Sequence, residues 1–131
     1  MPKARASYLG MIRLQKLAKA KAEMKLARLN EQLAAIEEEN AALFKMHDDR
    51  FEGNAVIVPA HIIMKRLELN KARQAQLAES MIAQRQELLK ISRTIDTLDR
   101  RLQSLGRELE RFRAADEMDE YMSHLQAKHS I

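Results

Sequence analysis

The chain has 131 residues, enough for one small folded unit but not for two domains with separate cores. Charged residues make up 32% and aromatic residues 4%, with 3 Gly and 2 Pro, which is typical of long helices or a coiled coil rather than a wide hydrophobic core. Because there is no Cys, no secretory signal and no apolar run of about 18 residues, we exclude disulfides and thiolate metal sites and expect a cytoplasmic protein.

The first predicted element is a helix from about residue 4 to residue 50. Its apolar residues recur in alternating steps of three and four, as at the a and d positions of a coiled coil. The positions in this frame are Tyr8, Ile12, Gln15, Lys19, Ala22, Leu26, Leu29, Leu33, Ile36, Asn40, Leu43 and His47. Within residues 9–17, four large apolar residues fall outside it, namely Leu9, Met11, Leu14 and Leu17. We expect either a shift of phase near Lys19 or a second, exposed stripe.

Charge is distributed unevenly along this helix. Residues 1–30 carry eight basic side chains and one acidic one, whereas residues 31–54 carry seven acidic and two basic ones. The basic end could attract an acidic protein, an anionic membrane or nucleic acid. The simpler interpretation, a solvated helix face beside a mixed-charge helix, is equally open at this point.

A turn is predicted at about residues 51–58, because Gly53-Asn54 tolerates positive φ and Pro59 suits the first turn of a helix. Helix 2 then runs from about residue 59 to residue 126, with Gly106 as its weakest point. Its frame contains Leu67, Asn70, Gln74, Leu77, Met81, Gln84, Leu88, Ile91, Ile95, Leu98, Leu102, Leu105, Leu109 and Phe112.

If the chain folds back at this turn, the two helices run antiparallel. Residues that face each other across the seam then have numbers that sum to about 110. Asn40 then faces Asn70, although the two frames are independent, and facing amides can satisfy each other. The predicted fold class is all-α: a single domain, residues 1–131, forming a long antiparallel two-helix coiled-coil hairpin with helix 2 longer than helix 1. Beyond about residue 107, helix 2 has no partner within the chain, so its apolar residues there are a candidate binding site.

The sequence shows no arrangement that points to catalysis, a small-molecule substrate, a cofactor or a metal. His47 and His61 come close across the predicted turn, but two imidazoles without Cys do not complete a zinc site. The carboxylates and Ser residues lie on solvated helices, with no concave site and no His base to activate them. We therefore expect a protein that binds other proteins and is not an enzyme.

Two short stretches resemble a known family. One is Ile12-Arg13-Leu14-Gln15-Lys16-Leu17 followed by an Ala/Lys/Glu-rich run to Leu43, and the other is Glu117-Met118-Asp119-Glu120-Tyr121. Together with the hairpin pattern, the basic start of helix 1 and the longer helix 2, they make the chain similar to the FliJ/YscO family. Members of this family are the small central-stalk proteins of flagellar and virulence type III protein export.

The resemblance implies a non-catalytic stalk whose open end binds a hexameric export ATPase, while other parts contact the export-gate membrane protein and export chaperones. It places such a protein in the cytoplasm, peripheral to the inner membrane at an export apparatus. The ATPase-facing residues would be Arg5, Tyr8, Arg13, Arg111, Arg113, Met118, Asp119, Glu120 and Tyr121. The basic stripe that would meet an acidic partner such as the gate consists of Arg13, Lys16 and Lys19.

Two other interpretations stay open. A generic coiled-coil adaptor or scaffold without an ATPase partner would have the same pattern. A nucleic-acid or membrane-surface binder would use the basic residues of the first 30, although no aromatic residues interleave with these charges to stack on bases. Apolar residues on helix 2 outside the seam also leave self-association open.

Overall fold

The computed structural model describes residues 2–51 and 58–129, and both parts are helical almost throughout. Helix α1 is Pro2–Phe51 and helix α2 is Ala60–His129. The fold is all-α, an antiparallel two-helix hairpin in which α2 is the longer helix, as the sequence predicts. Neither described helix contains a stretch apolar enough to cross a membrane.

The start of α2 differs slightly from the expectation. Pro59 precedes the helix, and its carbonyl accepts hydrogen bonds from the backbone N–H groups of Ile62 at 3.1 Å and Ile63 at 3.3 Å. Pro59 is therefore the N-cap residue, because its carbonyl accepts the first intrahelical hydrogen bond, from the N–H of Ile63. The Gly53-Asn54 turn signal lies outside the described residues.

The chain forms two compact units, each built from a segment of both helices. Unit 2 is Ala18–Lys90, which contains the end of α1 and the beginning of α2. Unit 1 combines Met1–Leu17 with Ile91–Ile131, and so contains the beginning of α1 and the end of α2.

In unit 2 the buried residues follow the predicted frame. Its core consists of Ala22, Ile36, Ile63, Asn70, Leu77 and Met81, and the other frame positions are half-buried. The contacts across the seam run in opposite directions along the two helices: Gln84 Nε2 donates to the carbonyl of Ala22 at 3.3 Å, and Asn70 bonds to Asn40. Antiparallel pairing follows directly from these contacts.

Asn70 is the one polar residue among the buried positions of the described chain, with 2% of its surface exposed. Its Nδ2 donates to Asn40 Oδ1 at 2.8 Å, the contact that the predicted register requires. A buried amide without a partner is costly, so this bond favours one alignment of the helices over its neighbours.

In unit 1 the core consists of Ile12 from α1 and Ile91, Ile95 and Leu98 from α2. The next frame positions, Leu102, Leu105 and Leu109, are half-buried, and the described residues after Leu109 are exposed except for the half-buried Leu125. Gln15 is half-buried at its frame position, whereas Leu14 and Leu17 are exposed by 67% and 68%. The frame therefore continues without a phase shift, and the off-frame residues form the second, exposed stripe.

We predict opposite outcomes for removing one or both seam amides. Asn70→Ala leaves the Asn40 amide half-buried without this partner, and should lower the free energy of unfolding by about 1–3 kcal/mol. Asn40→Leu/Asn70→Leu replaces both amides with apolar groups and should be neutral or stabilising. Urea unfolding followed by circular dichroism measures both, and equal destabilisation of the two variants would contradict the role of the bond.

Candidate protein-binding surfaces

The open end of unit 1 contains a shallow groove between the start of α1 and the last third of α2. Arg5 lines one side, and the α2 side is formed by Leu102, Gln103, Gly106, Leu109, Glu110 and Arg113. A Cβ added to Gly106 would meet nothing within 4 Å, so the missing side chain leaves open space in the groove. The structure thus brings together Arg5 and Arg113, two residues predicted to share a partner site.

The segment of α2 beyond this groove is exposed along its length. Every residue from 110 to 124 is exposed, including four large apolar side chains, Phe112, Met118, Tyr121 and Met122. A second shallow groove, lined by Leu105, Glu108, Leu109 and Phe112, lies where the seam ends. Large apolar side chains exposed along one short segment make it a candidate interaction surface.

The same segment carries charges of both signs. Arg111 and Arg113 precede Ala115, and a run of acidic residues follows it, Asp116, Glu117, Asp119 and Glu120. All of these side chains are exposed. The predicted partner-binding residues of α2 therefore lie on accessible surface, with apolar and charged groups side by side.

The predicted partner-binding residues of α1 differ in how much of each side chain is exposed to solvent. Arg13 and Lys16 are exposed in unit 1, close to the exposed Leu14 and Leu17 on the same helix. Lys19 is half-buried at a seam position of unit 2, and Tyr8 is half-buried at a seam position of unit 1. The accessible basic surface at the start of α1 thus consists of Lys3, Arg5, Arg13 and Lys16.

Unit 2 contains an ion pair beside the asparagine bond. Arg66 Nη2 donates to Glu39 Oε2 at 3.1 Å, and Arg66 Nε donates to the other carboxylate oxygen. The hydrogen bonds from Arg66 lower the pKa of Glu39 below its ordinary value, although partial desolvation acts in the opposite direction. The Asn70 amide and the charge of Arg73 lower this pKa further, by smaller amounts. Glu39 in turn raises the pKa of Arg66. Both side chains are exposed, so the pair contributes little to stability but borders the amide layer.

A small cleft beside this pair is lined by Gln32, Ala35, Ile36, Glu39, Arg66, Asn70 and Arg73. Within this cleft Arg66 bonds to Glu39, and Asn70 bonds to Asn40. Among the described residues, no three or more His, Asp or Glu side chains are grouped so that they could hold a metal ion.

Comparisons with protein-family models, curated proteins and solved structures found no match for this chain. The likeness to the FliJ/YscO family, with the partners and location that it implies, stays a prediction. The surfaces described above are therefore interpreted from their own chemistry.

Sequence reasoning missed several residues of these surfaces. Gly106 stood out only as a weak point of the helix, and its place in the groove depends on how closely α1 approaches. The Glu39–Arg66 pair was not predicted, because many charged residues flank the seam and the register alone does not choose among them. Ile63, 1% exposed, could have been found by extending the frame four residues back from Leu67.

The pKa of Glu39 predicts a pH-dependent effect. Because its folded-state pKa is lowered, the ion pair contributes stability above the unfolded-state pKa, and this contribution is lost as the pH falls through the folded-state value. Glu39→Gln should slightly lower the thermal unfolding midpoint at pH 7, and the difference from the wild type should shrink between about pH 5 and pH 2. Glu38→Gln, at an exposed neighbouring position, is the control, and a pH-independent effect of Glu39→Gln would contradict the assignment.

Replacing either helical glycine of unit 1 with alanine should stabilise the fold. No atom lies within 4 Å of a Cβ built on Gly10 or Gly106, and alanine is more favourable than glycine inside a helix by about 0.5–1 kcal/mol. Gly10→Ala and Gly106→Ala should each raise the free energy of unfolding by that amount in urea titrations. A loss of stability in either variant would mean that the added methyl group meets a neighbour in solution.

Proposed function

We propose that the chain is a non-catalytic stalk component of a type III protein-export apparatus, and that its open end binds a hexameric export ATPase. The family resemblance names the partner. The observation that supports it most is the groove that joins Arg5 of α1 to Arg113 of α2, bordered by exposed apolar residues at the end of α2. Contacts with an export gate and export chaperones, and a place at the inner membrane, belong to the same proposal.

The chemistry of the open end suits a partner that has to be engaged and released repeatedly. The groove carries Arg5, Glu110 and Arg113, all exposed to water. Exposed charges of both signs speed encounter and fix orientation more than they tighten binding. Gly106 allows a partner side chain or backbone to approach α2 closely.

The accessible basic residues at the start of α1 supply the second part of the proposal. Arg13 and Lys16 lie along one side of the exposed apolar side chains of Leu14 and Leu17. A surface with a basic edge beside an apolar strip is complementary to an acidic amphipathic partner helix. This surface is our candidate for the gate or chaperone contact.

The direct test is a turnover and assembly assay with the export ATPase of the same organism. The purified chain should increase hexamer formation or ATP hydrolysis, and Arg5→Glu/Arg113→Glu should remove most of the effect because it reverses the charge of the groove. The matched control, Arg28→Glu/Arg85→Glu, changes one exposed arginine on each helix within unit 2.

The outcomes separate the candidate functions. No effect of the wild-type chain on the ATPase at micromolar concentration would contradict the export role and favour a generic adaptor. Binding to DNA or to anionic vesicles that persists at about 0.3 M salt would favour a nucleic-acid or membrane role instead, because nonspecific phosphate contacts weaken steeply with salt.

A further inference from the structure

The beginning of α1 and the end of α2 carry opposite charges. Residues 2–17 of α1 contain four basic side chains and no acidic one, whereas residues 114–126 of α2 contain four acidic side chains and neither Lys nor Arg. All eight charged side chains are exposed. Within one chain the two stretches do not face each other, because Arg5 shares its groove with Leu102 and Leu109, and residues 114–126 extend past it.

The acidic stretch has one uncharged face. At about 3.5 residues per turn, positions seven apart coincide and positions three or four apart are neighbours. Three adjacent rows of this face are Ala114 with Tyr121, Met118 with Leu125, and Ala115 with Met122. Glu117 and Glu120 lie along the Tyr121 edge, and Asp119 lies along the Met122 edge. Met118, Tyr121 and Met122 are exposed by 61%, 59% and 51%, so most of this face is open to solvent.

The basic stretch has an apolar face as well, on the side of α1 that points away from the seam. Leu14 and Leu17 are exposed there by 67% and 68%. Gly10 lies one turn before Leu14, and a Cβ added to it would meet nothing within 4 Å, so it leaves space beside the two leucines. Arg13 and Lys16 lie along one edge of this face, as Glu117 and Glu120 do on α2.

The two faces match in one antiparallel register, in which facing residue numbers sum to about 132. The apolar contacts are then Leu14 with Met118, Leu17 with Ala115, and Gly10 with Met122. The charged pairs are Arg13 with Glu120 and Lys16 with Glu117. Antiparallel packing brings the corresponding edges of two helices together, whereas parallel packing would set the basic edge against the edge that carries only Asp119.

We propose that residues 114–125 of one copy of this chain dock antiparallel on the start of α1 of a second copy. The charge complementarity of the two stretches identifies the occupant. Each copy uses different surfaces toward its two neighbours, so the contact is head-to-tail and builds open chains. Facing numbers sum to about 110 within the hairpin and about 132 between copies, so successive copies are displaced by about 22 residues, or about 33 Å.

This self-association goes beyond the export role and does not depend on it, because it involves this chain alone. It occupies the surface of Arg13, Leu14, Lys16 and Leu17 that is our candidate for the gate or chaperone contact. The two contacts therefore exclude each other at any one copy.

Sedimentation equilibrium on the full chain measures this association. The weight-average mass of the wild type should rise continuously with concentration, with a dissociation constant of about 10–100 µM for each contact. Arg13→Glu should weaken the contact about fivefold, and Arg13→Glu/Glu120→Arg should restore it, because the exchange rebuilds a pair of opposite charges. Arg101→Glu is the matched control, because it makes the same charge change outside both stretches. All three positions are exposed, so circular dichroism should show unchanged helicity.

Cysteine cross-linking tests the head-to-tail arrangement, because the chain has no Cys of its own. An equimolar mixture of the Leu14→Cys and Met118→Cys variants should form disulfide-linked heterodimers under mild oxidation. Each variant alone should cross-link at least about tenfold more slowly, since equivalent positions on successive copies are about 33 Å apart, well beyond the reach of a disulfide.

Three results would overturn the proposal. A wild-type chain that stays monomeric up to about 0.5 mM would show that neither face binds a second copy. Equal effects of Arg13→Glu and Arg101→Glu would show that the contact lies elsewhere. Cross-linking of Met118→Cys with itself as fast as in the mixture would show a two-fold symmetric dimer instead of the displaced arrangement.

Discussion

The fold depends on a single narrow seam, and the bond between Asn40 and Asn70 determines how that seam is aligned. Helices of 50 and 70 residues that each bury only a narrow row of frame residues are marginal alone and need each other. Sliding α2 by one heptad would place Asn70 against Leu33 or His47 and separate the two amides. Because an unsatisfied buried amide is expensive, the observed 2.8 Å bond disfavours both alternatives.

Two polar residues of the seam are accommodated in different ways. Gln84 donates a hydrogen bond to the Ala22 carbonyl across the seam. Lys19 is only half-buried, so its long stem can cover apolar surface while its ammonium group stays in water.

Much of the fold could be predicted from the sequence, because the heptad pattern repeats many times along each helix. A single residue that departs from the pattern therefore does not change the assignment of the other positions. Every predicted frame position from Tyr8 to His47 and from Leu67 to Leu109 is buried or half-buried. The frame also explains why Leu14 and Leu17 are exposed: Ile12 and Gln15 keep their places in the seam, so nothing turns the outer residues inward.

The candidate surfaces were less predictable, for a physical reason. A seam position is specified by its period, whereas a groove depends on the distance between helices and on side chains that are absent, as at Gly106. The Arg66–Glu39 ion pair was likewise hard to predict. Several charged side chains beside the seam are long enough to form such a pair, and the register alone does not determine which two do so. The exposure of the end of α2 was predicted correctly, because that prediction depends only on the difference in length between the two helices.

The change of frame at the end of α2 says more than its exposure alone. A helix that simply outlasted its partner would either keep the seam frame or lose its large apolar residues, since exposing them gains nothing. Here the frame turns polar at Asp116 and Asp119 while Met118 and Met122 appear on another side. The end of unit 1 thus presents a charged groove beside Arg5 and, on another side of α2, the exposed side chains of Met118 and Met122. Because Gly106 and Arg113 of the groove lie on the opposite side of the helix from Met122, a partner bound in the groove would leave Met122 accessible.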